Sequence, residues 1–275
     1  MNKIILSPNK SSILIDTSYY VFYRYFSTLR WFKFKYPEVD IPTIDKNDEF
    51  IEAFYKHINN DLKKLCKRWD SERSNIILCC DCSRETIWRN GLHEQYKGKR
   101  PVNTEFNPNI FVIFFEYIET KMNEWGINII NLDQLEADDV VFLTKKSLVN
   151  NEWNNKIVII TNDNDYLQLL DENTHIHNMN NKNSDLSKRS CGIPGKDLLI
   201  KILMGDKSDN IAPIRKGVGF KTAKKLIQLS DEDFNKYIDK YNCRECFENN
   251  KKMIDFNEIP NDLQNKYNDL YTFEF

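Results

Sequence analysis

The sequence predicts an α/β fold with a mostly parallel, doubly wound sheet, followed by a smaller helical region. Three observations support this prediction. Short apolar runs alternate with longer stretches of helical periodicity as far as residue 160, which is the pattern of strands joined by crossover helices. Aspartates follow directly after three of these runs, where open α/β sheets bind ligands. Beyond Thr174 the periodicity becomes helical.

The composition is that of a globular chain with its own hydrophobic core. Of 275 residues, 41% are hydrophobic and 29% are charged, and this length suits one large domain or a domain with an appendage. The net charge of −2 does not by itself indicate a nucleic-acid partner, so local charge must decide that question. No apolar run approaches the ~20 residues of a membrane span, and the N-terminus does not match a secretory signal.

The cysteines indicate a reducing environment. Their number, seven, is odd, and three of them lie in or just after the apolar run at residues 75–80. We therefore expect reduced core thiols in a cytoplasmic or nucleoid-associated protein. Cys243 and Cys246 form a CxxC pair with no second pair nearby. Because a structural zinc site needs four ligands, we do not expect one there.

The first two predicted strands both end at an aspartate. Residues 12–15 form an apolar run that ends at Asp16, and an aromatic helix is predicted from residue 19 to about residue 34. Asp16 alone is more simply explained as a helix N-cap. After a second predicted helix at residues 48–68, the strand at residues 75–80 ends at Asp81. Two strands that end alike are harder to ascribe to capping, and they favour a ligand site.

A basic segment with aromatic residues follows the second strand. Between residues 84 and 100 five cations oppose two acids, which gives a local charge of +3. Trp88 and Tyr96 lie among the cations. Such a segment can bind phosphates while its aromatic rings stack on bases. An ordinary solvated face is the alternative. The cations are Arg84, Arg89, Lys97, Lys99 and Arg100.

The segment from residue 135 to residue 165 is the most acidic part of the predicted sheet. After a strand at residues 128–132, a helix to about residue 150 begins with Glu136, Asp138 and Asp139, and the strand at residues 156–160 is followed by Asp163 and Asp165. Carboxylates at this density need a compensating charge. Oxygen ligands suit Mg²⁺ or Mn²⁺. The alternative is that these acids merely favour a helix N-terminus and a loop.

The carboxyl-terminal part adds two acids and a second basic segment. A predicted helix at residues 195–205 leads into Asp206 and Asp209. A Gly-Val-Gly turn then precedes a further helix, and five cations lie between Pro213 and Leu229 without an acid. The turn leaves backbone N–H groups to face a phosphate, which predicts a helix-hairpin-helix that binds one DNA strand. We expect the polar, helical remainder at residues 231–275 to pack back on the core.

In this order, the motifs resemble those of the 5′-nuclease superfamily, which includes flap endonucleases, the 5′-nuclease domain of bacterial DNA polymerase I and phage T4-type ribonuclease H. The last of these is the closest in appearance. The matching motifs are Ile15-Asp16, Cys80-Asp81, Tyr96-Lys-Gly-Lys-Arg100-Pro, Glu136-Ala-Asp-Asp139, Thr161-Asn-Asp-Asn-Asp165, Gly205-Asp-Lys-Ser-Asp-Asn210 and Gly217-Val-Gly-Phe-Lys-Thr-Ala223.

The resemblance implies an architecture and a metal set. It implies a PIN-like sheet in a nuclease domain at residues 1–185, a helical arch at about 84–107, and a helical DNA-binding region with a helix-hairpin-helix (H3TH) at 186–275. It also implies two or more Mg²⁺ ions, which Mn²⁺ can replace, and a K⁺ ion at the hairpin. The implied ligands of the divalent ions are Asp16, Asp81, Glu136, Asp138, Asp139, Asp163, Asp165, Asp206 and Asp209.

The resemblance also implies roles for individual side chains. Lys97 and Arg100 would stabilise the scissile phosphate, and the catalytic set would include Asp16, Asp81, Asp138 and Asp163. Arg89 and Tyr96 would guide the 5′ strand. The implied DNA-binding residues are Arg89, Tyr96, Lys97, Lys99, Arg100, Lys216, Gly217, Val218, Gly219, Lys221, Thr222, Lys224 and Lys225.

The expected activity is two-metal hydrolysis of phosphodiesters near a free 5′ end, as a 5′-3′ exonuclease and flap endonuclease that removes RNA primers in DNA replication and repair. Branched or nicked DNA and RNA–DNA primer duplexes are the expected substrates. A single-strand binding protein or a sliding clamp is the expected partner. The enzyme is expected to be a monomer of the cytoplasm or nucleoid, with a viral or phage origin as one option. A PIN-type endoribonuclease and a non-catalytic branched-DNA-binding protein are the alternatives.

Overall fold

The computed structural model describes residues 2–99, 103–183 and 190–275. The described strands are β1 (Asn2–Ile5), β2 (Ser12–Asp16), β3 (Ile76–Cys79), β4 (Asn128–Ile130), β5 (Ile157–Ile160), β6 (Thr174–His177) and β7 (Tyr271–Glu274). The described α-helices are α1 (Thr17–Lys35), α2 (Asp48–Trp69), α3 (Asn109–Trp125), α4 (Ala137–Asn150), α5 (Pro194–Met204), α6 (Phe220–Leu226), α7 (Asp231–Lys240), α8 (Arg244–Ile254) and α9 (Asn261–Leu270). Short 3-10 helices lie at Ile41–Lys46, Arg73–Asn75, Trp88–Gly91, Asn164–Leu169 and Phe256–Glu258.

The central sheet confirms the predicted α/β class. Its order is β4-β3-β2-β5-β6, and every neighbouring pair is parallel. The chain builds outward from β2 to β3 and β4 on one side, and then crosses to β5 and β6 on the other. The strand order therefore reverses between β2 and β5. In an open parallel sheet, the crevice at the carboxyl ends of two such strands is where ligands bind.

Both faces of the sheet are covered, as a doubly wound fold requires. The residues of β3 and β5 are fully buried, which explains their continuous apolar sequences. Ile13 and Ile15 pack on one face with the aromatic residues of α1, α2 and α3. Leu14 packs on the other face with Val140 of α4 and Tyr267 of α9. Alternate strand residues thus supply two separate cores.

Three strands were not expected from the sequence. The prediction of a helical pattern beyond Thr174 is wrong at its start, because Thr174–His177 forms β6 and extends the sheet by pairing with β5. Strands β1 and β7 form a separate two-stranded parallel sheet that joins the two ends of the chain. Each is four residues long, and such short strands give too few residues for a periodic signal.

The end of the chain packs on the α/β layer. Phe256, Leu263, Tyr267 and Phe273 belong to the core beneath α4, so the prediction that the tail packs back is confirmed for this last part. It is wrong for α7, because Ile238 packs in the separate core of the helical region. The sequence predicted a helical region at residues 186–275. The separate core of that region lies in α5–α8 and the hairpin, where Leu203, Val218 and Ile238 are buried together. None of the helices among the described residues has the length and apolarity needed to span a bilayer.

The segment expected to form an arch packs between these two parts. Its described portion from residue 84 to residue 99 consists of turns and the 3-10 helix Trp88–Gly91, without an α-helix. Ile87 and Tyr96 are buried against Ile202 of α5 and Met253 of α8. The base of the arch is therefore packed against the helical region, and this packing holds Lys97 in place relative to the sheet.

Candidate metal centre

Asp16 ends β2 at the point where the strand order reverses. Its Oδ1 accepts a 3.0 Å hydrogen bond from the backbone N–H of Tyr19 and so caps α1, while its Oδ2 accepts from the hydroxyls of Thr161 (2.9 Å) and Tyr166 (3.2 Å). The helix N-cap that the sequence suggested is therefore confirmed, and the role of Asp16 in a ligand site stays a prediction. Burial, and then the nearby Asp81, raise the pKa of Asp16 to about 6, which shows that its anion lacks sufficient compensating charge.

Asp81 joins the end of β3 to the starts of two helices. Its Oδ1 accepts a 2.9 Å hydrogen bond from the backbone N–H of Ala137, in the first turn of α4. Its Oδ2 accepts from the Ser18 hydroxyl at the start of α1. The side chain is exposed. Its carboxylate is thus oriented by protein donors while one side stays open to solvent.

Three acids at the start of α4 form the first group, which we call the α4 cluster. One carboxylate oxygen from each of Glu136, Asp138 and Asp139 lies within 4.8 Å of the other two. Glu136 and Asp139 form a reciprocal capping box, in which each side chain accepts from the other's backbone N–H. Burial, and then Asp139, raise the pKa of Asp138 well above its ordinary value. The local helix chemistry therefore accounts for two of the acids and leaves Asp138 in need of a cation.

Two cations from the arch segment contact the α4 cluster. Arg89 forms ion pairs with Glu136 (2.9 Å) and Asp139 (2.7 Å), and the Lys97 ammonium pairs with the other Glu136 oxygen. Arg89 is 1% exposed and Tyr96 is 6% exposed. The prediction that Arg89 and Tyr96 contact a DNA strand is therefore wrong for this conformation, because both side chains lie beneath the acids and have no surface for a phosphate or a base.

A second group of acids, which we call the loop cluster, consists of Asp165, Asp206 and Asp209. Their nearest carboxylate oxygens also lie within 4.8 Å of one another. The Lys201 ammonium forms ion pairs with both Asp165 and Asp206. Although burial acts to raise it, the pKa of Asp206 is lowered to about 2 by Lys201. Burial and Asp163 raise the pKa of Asp165 to about 7 against the same lysine.

Lys201 was not identified from the sequence. It occupies a polar position in the otherwise apolar pattern of α5, where a solvated lysine is the ordinary explanation. The one feature of the sequence that could have identified Lys201 is its position just before the Gly205-Asp206 turn. Gly205 has φ +64, and a Cβ there would approach the Ala212 carbonyl oxygen to 2.4 Å. Only glycine allows the chain to turn here and direct Asp206 back toward Lys201.

The arch segment joins the two clusters into one site. The Tyr96 hydroxyl contacts both Glu136 Oε2 (3.0 Å) and Asp209 Oδ2 (3.3 Å). The backbone N–H of Lys97 donates to the Asp209 carbonyl at 3.0 Å, and Lys97 has φ +54, a left-handed conformation that is uncommon outside glycine. Asp163, at the end of β5, accepts a 3.0 Å hydrogen bond from the Asp165 backbone. The predicted acids from distant parts of the chain thus lie in one continuous set of contacts.

Comparisons with known proteins agree with this geometry. The family model described as "5′-3′ exonuclease, N-terminal resolvase-like domain" matches residues 11–191. The 5′-3′ exonuclease of Buchnera aphidicola is 31% identical over 223 residues, which cover 80% of this chain and 70% of that protein. The chain belongs to the 5′-3′ exonuclease family. The expectation of a 5′ nuclease is thereby confirmed, whereas the closer likeness to T4-type ribonuclease H stays a prediction.

Other similar proteins show over how much of its length this chain resembles each of them. The 5′-3′ exonuclease of Mycoplasmopsis pulmonis is 30% identical and is covered over 67% of its length. DNA polymerase I of Caldicellulosiruptor bescii is 31% identical over 73% of this chain, which spans only 24% of that polymerase. A zinc-bound structure of the phage T5 5′-exonuclease has the same fold, with a TM-score of 0.63 and 16% identity over 94% of this chain and 97% of that one. A T5 flap endonuclease complex with DNA and metal ions also matches, with a TM-score of 0.62 and 17% identity over 94% of this chain and 97% of that one.

The hairpin of this 5′-3′ exonuclease family member presents its cations to solvent. Lys216, Lys221, Lys224 and Lys225 are exposed, as a DNA-binding surface requires. The Val218 side chain is 4% exposed and packs in the core of the helical region, so a DNA contact by this residue would be made by its backbone, and that contact stays a prediction. The Arg215 guanidinium lies 3.9 Å from the ring centre of Tyr241 and 5.8 Å from that of Tyr237, and this contact attaches the hairpin to α7.

The remaining predicted DNA-binding residues lie in the arch segment and the hairpin. Lys99 is exposed. Gly217 has φ +89 and its carbonyl accepts a 3.4 Å hydrogen bond from the Thr222 hydroxyl, while Gly219 is the residue before α6. Arg100, predicted to stabilise the scissile phosphate, lies outside the described residues. Its role stays a prediction from the sequence.

Proposed function

We propose that this chain is a Mg²⁺-dependent, structure-specific 5′ nuclease that hydrolyses phosphodiesters near a free 5′ end. The observation that carries the proposal is the convergence of acids from β2, β3, β5, α4 and the loop after α5 at the crevice where the strand order reverses. The proposed substrates are flaps, nicked duplexes and RNA primers paired to DNA. The enzyme would act in DNA replication and repair.

The acids fit divalent metal ions. All nine predicted ligands are carboxylates, and hard oxygen donors suit Mg²⁺, with Mn²⁺ as a substitute. Among the described residues, the cations that form ion pairs with these acids are Arg89, Lys97 and Lys201. Burial first, and then a neighbouring aspartate, raise the pKa of Asp16 to about 6 and that of Asp165 to about 7. A bound divalent ion would stabilise the ionised form of both carboxyls.

Within this proposal, the chain's own residues orient and stabilise the substrate. Bound divalent ions would activate a water and stabilise charge on the attacking and leaving oxygens. Lys97, which is held at the edge of the α4 cluster, would stabilise the negative charge that develops on the scissile phosphate. Arg100 would assist it. The exposed Lys99 would contact the backbone of the 5′ strand.

The hairpin would bind the duplex behind the cleaved bond. Its exposed lysines carry no sequence preference, because contacts to phosphates position a duplex without reading its bases. This is the surface that favours a structure-specific nuclease over a PIN-type endoribonuclease, which lacks it. A non-catalytic DNA-binding protein would not need the acids, and all nine are present.

Several finer expectations stay proposals. We propose that a K⁺ ion binds at the hairpin, near the carbonyl of Gly217. We also propose that the enzyme acts as a monomer and cooperates with a single-strand binding protein or a sliding clamp. Gel filtration at several protein concentrations tests the monomer, and dependence of DNA affinity on K⁺ compared with Na⁺ tests the ion.

Cleavage of 5′-labelled flap, nicked and RNA-primed duplexes tests the proposed function. With Mg²⁺, the wild-type chain should release short 5′-labelled products, and Asp163→Ala should release none in the same time. Asp262→Ala, an exposed acid of α9 away from the site, is the matched control and should cleave normally. Intact substrates with the wild-type chain would reject the proposal. Efficient cleavage of unpaired RNA without a 5′ end would favour the PIN-type alternative.

A further inference from the structure

Arg89 forms the most completely buried ion pair described near the site. Its guanidinium is 1% exposed and its partner Asp139 is 0% exposed. Isolated charges are costly to bury, and pairs are retained only where hydrogen bonds satisfy both partners. Arg89 lies in the 3-10 helix Trp88–Gly91 at the base of the arch segment, whereas Asp139 lies in the first turn of α4. The pair therefore connects the segment that carries Lys97 to the helix that carries the α4 cluster.

The guanidinium contacts three residues in two other parts of the chain, the end of α8 and the start of α4. Its Nε donates to the Met253 carbonyl in α8 at 2.9 Å. Nη1 donates to Glu136 Oε2 (2.9 Å) and Asp139 Oδ2 (2.8 Å), and Nη2 donates to Asp139 Oδ1 (2.7 Å). The planar fork of arginine matches a carboxylate in this two-point geometry, which lysine cannot reproduce. The Trp88 ring lies 4.5 Å from the guanidinium carbon and shields it from water.

Asp139 has little capacity left for a metal ion. A carboxylate has about four acceptor positions. Asp139 Oδ1 accepts from Arg89, and Oδ2 accepts from Arg89, from Trp88 Nε1 (2.9 Å) and from the Glu136 backbone N–H (3.2 Å). The acceptor position that remains on Oδ1 lies on a side chain that is 0% exposed and already paired with Arg89, so a metal ion would have to open this enclosed contact to reach it.

Asp138 differs from its neighbour in this respect. The hydrogen bond described for its side chain comes from the Asp139 backbone N–H, at 2.8 Å. Asp138 is half-buried, whereas Asp139 is 0% exposed. The first turn of α4 therefore presents two acids of different kinds, one enclosed and paired and one available to a ligand.

We propose that Arg89 is a positioning residue for the nuclease reaction, and that Asp139 is its counter-ion and not a metal ligand. This inference rests on the proposed metal-dependent function. The pair fixes α4 against the base of the arch, so that Glu136 and Asp138 hold their positions relative to Lys97. Arg89 also offsets the charge of one acid, which reduces repulsion within the α4 cluster before any metal binds. The sequence suggested a DNA contact for Arg89 and metal ligation for Asp139, and both assignments are replaced.

The direction in which Asp139→Asn changes kcat in an Arg89 variant shows whether Asp139 is a counter-ion or a metal ligand. Arg89→Met leaves Asp139 buried without its partner, and kcat should fall about 10²-fold, as for loss of a residue that orients metal ligands. Adding Asp139→Asn removes the unpaired charge but keeps an oxygen to accept from Trp88 and Glu136. If Asp139 is a counter-ion, Arg89→Met/Asp139→Asn should recover about tenfold in kcat over Arg89→Met. If Asp139 ligates a metal, the double variant should lose a further tenfold or more, and the proposal is overturned.

Binding measurements separate positioning from DNA contact. The affinity for flap DNA is measured against salt concentration, with EDTA present so that no cleavage occurs. A positioning Arg89 predicts an unchanged slope of log affinity against log salt in Arg89→Met. A phosphate contact predicts a slope reduced by about one, and that result overturns the proposal. Calorimetric titration with Mn²⁺ adds a readout without turnover, in which the double variant should bind the same number of ions as the wild type.

A second arginine variant and a comparison with the wild type allow the test to give a clear result if Arg89→Met does not fold. Should Arg89→Met fail to fold, as judged by thermal unfolding, Arg89→Lys keeps the charge while losing the two-point contact. Asp139→Asn is then added to that background, with the same predicted sign. If the wild-type chain cleaves no substrate and binds no Mn²⁺, the proposed function is wrong. If the wild-type chain is active but adding Asp139→Asn lowers kcat further in each arginine variant, only the inference about Arg89 and Asp139 is wrong.

Discussion

The two acid clusters of the site contain three carboxylates each but are neutralised differently. The α4 cluster is mostly enclosed, and its cations, Arg89 and Lys97, both come from the arch segment. In the loop cluster Asp165 and Asp206 are half-buried and Asp209 is buried, and the cation, Lys201, comes from the adjacent helix α5. The charge on the α4 cluster is thus controlled by the segment expected to meet the substrate, whereas the loop cluster is balanced by its own surroundings.

This difference indicates which carboxylates remain available to metal ions. In the α4 cluster two cations leave Asp138 as the acid whose ionisation is least favoured. In the loop cluster a single ammonium divides its contacts between Asp165 and Asp206, and the pKa of Asp165 is raised to about 7 while that of Asp206 is lowered to about 2. Each cluster therefore contains one acid, Asp138 or Asp165, whose pKa is raised and whose ionised form is disfavoured, and we expect a divalent ion to stabilise each of them.

Loss of the unpaired acid of the α4 cluster should have the largest effect. Asp138→Asn keeps the shape of the side chain but removes the charge, and several kcal/mol of metal-dependent stabilisation correspond to about 10³-fold or more in kcat. Single-turnover cleavage of a 5′ flap at saturating enzyme measures this. Flap DNA should still bind, because the hairpin is unchanged. Cleavage within tenfold of wild type would show that Asp138 is not a ligand.

The cation at the edge of the α4 cluster should matter next. Lys97→Ala should reduce kcat by about 10²-fold, as for removal of one electrostatic donor to a transition state, with a smaller change in KM. Lys99→Ala is the matched comparison, since this neighbouring cation is exposed and no ion pair with the acids of the site is described for it. It should mainly weaken DNA binding. Equal effects of the two substitutions on kcat would contradict a special role for Lys97.

The loop cluster should couple metal binding to pH. Because the folded pKa values of Asp165 (about 7) and Asp16 (about 6) lie above their ordinary value, the metal-free protein holds protons there at pH 6 that a metal ion must displace. Calorimetric Mg²⁺ titrations in buffers of different ionisation enthalpy should show more protons released at pH 6 than at pH 8, because Asp16 and Asp165 are mostly ionised at pH 8. Asp165→Asn should reduce the release at pH 6. Equal release at both values of pH would contradict the assignment.

The same shifts determine how the stability of the metal-free protein depends on pH. A carboxyl whose folded pKa is raised binds its proton more tightly in the folded state, so its contribution to stability is present below the unfolded pKa. That contribution is lost as pH rises through the folded value, here about 6 for Asp16 and about 7 for Asp165. With EDTA, Asp165→Asn should therefore lose less stability than wild type between pH 5 and pH 8. Urea unfolding at the two values of pH measures this difference.

The hairpin lies outside both clusters and should give the smallest effect. Lys224→Ala or Lys225→Ala should weaken flap binding a few-fold and reduce the salt slope by about one, with kcat unchanged at saturation. Lys63→Ala in α2, an exposed cation outside the hairpin, is the control. An unchanged salt slope in both hairpin variants would remove the hairpin from the DNA interface.

The positions of the acids were predictable because local rules place them. A buried parallel strand must end at the carboxyl edge of the sheet, so Asp16, Asp81 and Asp163 were expected to converge once their strands were recognised. Glu136 and Asp139 follow helix-capping chemistry that is visible in four consecutive residues. The parallel sheet itself followed from alternating apolar strands and helices.

The contacts that neutralise those acids were not predictable from local sequence. Lys201 occupies a position in α5 where a solvated lysine is equally compatible with the pattern, and only the turn at Gly205 brings Asp206 back to it. The local charge of +3 in the arch segment gave no sign that Arg89 is buried, because its partners lie about fifty residues further along the chain. Strand β6 was missed because its sequence, Thr-His-Ile-His, has a strand pattern only once β5 is beside it.

The most direct test of the central claim is to locate Mn²⁺ by anomalous diffraction in crystals of the wild-type chain. A site shared by both clusters predicts at least two peaks, one against Asp138 in the α4 cluster and one against the acids of the loop cluster. Each ion should lie within about 2.3 Å of carboxylate oxygens. Crystals with both clusters open to solvent and no peak at either, at millimolar Mn²⁺, would contradict the account.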